Sequence, residues 1–82
     1  MEIEKTLSLT RKQLADMLRN LADQLEKGVA VKSETLNAEV TPEEPIYAKL
    51  EYEDEHGKQK IEVNFKLIGS GRPLSPVTSS KF

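Results

Sequence analysis

The sequence predicts an α+β fold: one amphipathic helix packed on an antiparallel sheet of four or five strands, in the order β-α-β-β-β-β. Two observations carry this. Residues 46 to 68 hold two strict period-2 runs about a charged turn, which is the pattern of a β-hairpin with one apolar and one polar face. Residues 11 to 27 carry apolar side chains at helical spacing, between a capping signal and a glycine. A sheet with one apolar face needs a cover, and the helix stripe is the natural one.

The elements follow in order. Ile3, Lys5, Leu7 and Leu9 alternate with Glu2, Glu4, Thr6 and Ser8, which suggests a first strand. Lys5 interrupts its apolar face, as expected of an edge position. Thr10-Arg11-Lys12-Gln13 then matches a capping box, with the Thr10 hydroxyl and the Gln13 amide serving each other's backbone. Leu14, Ala15, Leu18, Leu21, Ala22 and Leu25 form the stripe of a helix over residues 11–27. Gly28 stands where a left-handed cap falls. On the opposite face Lys12/Asp16, Arg19/Asp23 and Asp23/Lys27 have the i,i+4 spacing at which ion pairs are expected.

Val29 and Val31 open a short strand, and Leu36, Ala38 and Val40 mark another after a polar link. Thr41-Pro42-Glu43-Glu44-Pro45 reads as a connection, because proline supplies no ladder donor. In the hairpin, matching the apolar faces sets Tyr52 opposite Ile61, Leu50 opposite Val63, Ala48 opposite Phe65 and Ile46 opposite Leu67. That register leaves His56-Gly57 as a two-residue type I′ loop. It sets Glu53 against Lys60 favourably and Glu51 against Glu62 unfavourably. From Gly69 the pattern stops in a Gly-, Ser- and Pro-rich stretch. The expected organisation is one domain over residues 1–68 and a flexible tail over 69–82. Leu14, Leu18, Leu21, Leu25, Ile46, Leu50, Ile61, Val63, Phe65 and Leu67 are expected to form the core. Replacing Leu21 or Phe65 by Ala should then cost roughly 2–5 kcal/mol.

With 82 residues the chain has room for one small domain. It contains no cysteine, so neither a disulfide framework nor a thiolate metal site is available. A net charge of −2 gives no long-range attraction to nucleic acid or anionic membranes. The N-terminus has no apolar run of the signal-peptide kind, and no stretch approaches the roughly 20 apolar residues that span a bilayer. The expectation is a soluble, cytoplasmic protein with no membrane partner.

The strand, the Ser8-Leu9-Thr10-Arg11 helix start, the run Leu18-Arg19-Asn20-Leu21-Ala22-Asp23-Gln24-Leu25, Val29 and Val31, and the alternating run from Ile61 to Leu67 together resemble the Amphi-Trp domain family. The resemblance spans residues 2 to 68. The family takes its name from a tryptophan near the end of the last strand; this chain has none, and Leu67 or Phe65 stands near that place. The resemblance implies a fold and brings no established activity.

No residue set reaches a catalytic signature. His56 is the sole histidine and lies in a turn beside Asp54 and Glu55, without a nucleophile in view. Glu51, Glu53, Asp54, Glu55 and Glu62 lack the ligand spacing of a calcium loop, and Lys58 and Lys60 offset their charge. The chain is therefore expected to be a non-catalytic interaction module with no cofactor. Its partner would be another protein or a second copy, met through a sheet edge. The candidate surface is Tyr47, Lys49, Glu51 and Lys66, with Tyr47 the aromatic outlier on a polar face. The alternative is weak nucleic-acid binding through Arg11, Lys12 and Arg19, near the helix N-terminus.

Overall fold

A computed structural model describes residues 1–75. Its elements are α1 (Arg11–Lys27), β1 (Val31–Ser33), β2 (Ala38–Pro42), β3 (Ala48–Glu55), β4 (Lys58–Phe65) and β5 (Gly69–Pro73). The fold is α+β and antiparallel throughout, with one helix, as the patterning implied.

The helix begins and ends where its signals stand. The Gln13 N–H donates to Thr10 Oγ1 at 3.1 Å, and the Thr10 N–H donates to Gln13 Oε1 at 2.9 Å. These two bonds satisfy donors that a bare helix end would leave open. Gly28 closes the C-terminus at φ 71°, a left-handed conformation that glycine adopts without penalty. The helix meets the rest of the chain chiefly through Gln24, whose Oε1 accepts the Lys32 N–H of β1 at 2.8 Å.

Four expectations are corrected by the topology. The strands form two sheets rather than one: a three-stranded sheet in the order β1-β2-β5, and the two-stranded β3-β4 hairpin. The break falls after Pro42, across residues 43–47 with Pro45 among them; Thr41 and Pro42, expected in the connection, instead end β2 and pair with Ser70 and Gly69. The β2–β5 ladder ends at Pro42 and Gly69, and pairing resumes at Ala48 and Phe65. Residues 1–9 form no strand. The neighbouring edge at Lys32 is already taken by the Gln24 side chain, which leaves no backbone partner there. Gly69–Pro73, expected to begin the tail, is β5 and pairs with β2. The remainder of the expected tail, residues 76–82, lies outside the described residues.

The fourth correction concerns the core. Among the described residues none is buried. Of the ten residues expected to pack together, Leu21, Phe65 and Leu67 are half-buried and the others are exposed. The reason is positional. The helix lies beside β1 and makes no contact with β3 or β4, so it does not cover the hairpin. The molecule accordingly extends 55 Å along its longest axis.

Candidate interaction surface

The hairpin owes its shape to strict alternation and to one turn. His56 and Gly57 take φ 50° and 80°, the two positive values that a type I′ turn needs to match the twist of its strands. The register is the one read from the sequence: Tyr52 faces Ile61, Leu50 faces Val63 and Ala48 faces Phe65. The expected fourth rung, Ile46 with Leu67, is absent because the ladder stops at Ala48–Phe65.

One face of the hairpin is polar and internally paired. Lys60 sits 3.3 Å from Glu53 and 3.6 Å from Glu62, and Lys49 sits 3.6 Å from Glu51. Glu51 does face Glu62, and each has a lysine two residues away on its own strand to offset the opposition. The other face is apolar and open. Leu50 is 72% exposed, Tyr52 64%, Ile61 75% and Val63 59%. Scattered apolar residues on a surface are ordinary, but four neighbours on two paired strands make a contiguous patch.

A second open face lies on α1. Leu14, Leu18 and Leu25 are exposed along the stripe that was expected to cover the sheet, with Met17 exposed on the same helix. Beside it Leu7, Met17, Leu21, Val31 and Leu36 line an open groove between the N-terminal segment, the helix and β1.

The residues singled out from the sequence are placed differently. Tyr47 stands just before β3 and is 79% exposed. Lys49 and Glu51 lie on the polar face and are paired to each other, and Lys66 is exposed in the link between β4 and β5. They do not join the apolar patch. Lys12 and Arg19 both reach Asp16, at 3.3 and 3.1 Å, which offsets part of the positive charge near Arg11. His56 is exposed at the hairpin tip among Glu53, Glu55, Lys58 and Lys60. Sequence reasoning missed Leu50, Tyr52, Ile61 and Val63 as surface residues. Alternation identifies an apolar face but carries no signal of whether another element covers it.

The helix caps, Val31 of the short strand and the hairpin register now stand together in one architecture, while Val29, expected to open that strand, precedes it. The profile of the Amphi-Trp domain matches residues 1–67. The chain belongs to the Amphi-Trp domain family. No curated protein and no solved structure matches it. In this Amphi-Trp domain the match ends just before β5, and the chain has no tryptophan. Phe65, the last residue of β4, and Leu67 after it are both half-buried. Among the described residues no helix of this Amphi-Trp domain is long and apolar enough to cross a membrane.

Proposed function

We propose that the chain is a non-catalytic interaction module that works by protein binding or self-association through its β3–β4 hairpin. The observation that carries this reading is the apolar face of Leu50, Tyr52, Ile61 and Val63, on which no other described element packs. Fully covering a Val, Leu or Ile side chain is worth about 1.5–3 kcal/mol. A patch of three such residues with Tyr52 beside them can therefore offset much of the entropic cost of association, estimated at roughly 4–15 kcal/mol. The hairpin offers a second route. Among the described residues β3 and β4 pair only with each other, so each keeps an outer edge to which a partner strand could add. Nucleic-acid binding through Arg11, Lys12 and Arg19 takes second place, because Asp16 is shared by two of those three cations.

Affinity capture with the wild-type chain and with Leu50→Glu tests the proposal. The wild type should retain a protein partner or a second copy, and Leu50→Glu should lose it. Equal retention by both chains would remove the hairpin face from the mechanism.

A further inference from the structure

We infer that the hairpin is covered by a second copy of this chain, each protomer laying its β3–β4 hairpin along the α1 stripe of the other. The inference rests on the proposed role of the hairpin as the binding element and names its partner.

Surface area is the first argument. A folded monomer of 9.2 kDa exposes about 4,900 Å². This chain exposes 7542 Å². The excess is about 2,600 Å², of which about 1,100 Å² is set aside for the residues outside the described ones. At least roughly 1,500 Å² per chain is left over, or about 3,000 Å² for a pair. That falls within the range of obligate homodimer interfaces, about 2,000–5,000 Å².

Complementarity is the second. The chain carries two apolar faces of different kinds, a half-open helix stripe with Leu14, Leu18 and Leu25 37–47% exposed and a sheet face 59–75% exposed, and these are the two surfaces that α+β layers press together. Their lengths agree. The seventeen residues of α1 rise about 26 Å at 1.5 Å each. The eight residues of β3 span about 26 Å.

Within one chain the two faces are held apart. Pro42 pairs with Gly69, and the Glu43 N–H donates to Ile68 O at 2.8 Å. Both roots of the hairpin are thus tied to the three-stranded sheet, and it leaves that sheet as a two-stranded arm without contact to α1. Two such chains related by a two-fold axis cover all four faces at once, since each arm meets the other's helix in the same way.

The chain has no cysteine, which makes site-directed cross-linking clean. Light scattering of the full chain at tens of micromolar should give a dimer mass, and Leu50→Glu should weaken dimerisation at least ~100-fold. Under mild oxidation, Leu18→Cys mixed with Val63→Cys should yield a disulfide-linked dimer that neither variant forms alone. The double variant should give a covalent dimer. A monomeric wild type overturns the inference. So does Val63→Cys cross-linking to itself, which would mean that hairpin faces meet one another. A disulfide closing within one monomer of the double variant also overturns it. If the wild type is monomeric while Leu50→Glu still abolishes capture of another protein, this inference falls and the proposed function stands. If Leu50→Glu changes neither, both fall.

Discussion

Gly69 and Gly71 lie in β5 where it runs closest to β2. A Cβ at Gly69 would land on the Thr41 carbonyl oxygen, and one at Gly71 on the Glu39 carbonyl oxygen. Only glycine allows this approach, so Gly71→Ala should weaken folding by about 1–3 kcal/mol in urea titration. An unchanged midpoint would mean that β5 is not held against β2. Arg72 fastens the same strand. Its Nε donates to Glu39 Oε1 at 2.7 Å, and the Glu39 side chain is only 13% exposed. Asn37 anchors the strand's end. It sits at φ 53°, its carbonyl accepts the Leu74 N–H, and its Oδ1 accepts from the backbone and hydroxyl of Ser75. Asn37→Ala combines an unfavourable left-handed backbone with lost side-chain bonds and should cost about 2 kcal/mol. Asn37→Gly, which tolerates the backbone, should cost less; the reverse order in chemical denaturation would refute this account. These residues explain the misreading of the strand as a tail. Glycine required by a close backbone approach and glycine in a linker look alike in composition.

Among the elements, α1 and the hairpin were the most legible, because each is specified by residues near one another in sequence. Thr10, Gln13 and Gly28 set the helix ends through contacts within four residues. The hairpin register follows from one turn and from alternation on both strands. Gly57 at φ 80° is the critical turn position. Gly57→Val should loosen the hairpin by about 1–2 kcal/mol. In the Leu50→Glu background, where association is lost, amide exchange should then quicken in β3 and β4 and stay unchanged in α1, which does not contact them within one chain. Equal acceleration in all three would show that the hairpin and helix unfold as one unit. The first strand was the least legible. Ile3, Leu7 and Leu9 have the alternation of a strand, but a strand also needs a backbone partner, and Gln24 occupies the nearest edge.

At the scale of the whole molecule, the expected cost of 2–5 kcal/mol for Leu21→Ala or Phe65→Ala presumed burial that the single chain does not supply. Both residues are half-buried, so an isolated chain should lose only part of that amount. If association covers the hairpin and α1, stability becomes dependent on concentration, since a partner that binds only the folded state raises the midpoint by mass action. Thermal midpoints of the wild type should rise over a hundredfold increase in protein concentration. Leu50→Glu, with its open face made polar, should show a flat midpoint. A flat wild-type line would show that the exposed faces add nothing to folding.

By itself the sequence determined the class of this protein, its helix with both caps, its hairpin with the register about His56 and Gly57, and its family. All of these rest on local chemistry: capping hydrogen bonds, turn dihedrals and the two-residue period of a strand. Only the tertiary structure decided that Gly69–Pro73 is a strand, that the sheet breaks between β2 and β3, and that the helix stripe and hairpin face do not meet within one chain. Those outcomes depend on where distant segments are placed by Asn37, Arg72 and the Glu43–Ile68 bond. An apolar pattern states that a face must be covered. The path of the chain decides whether its own helix can do so.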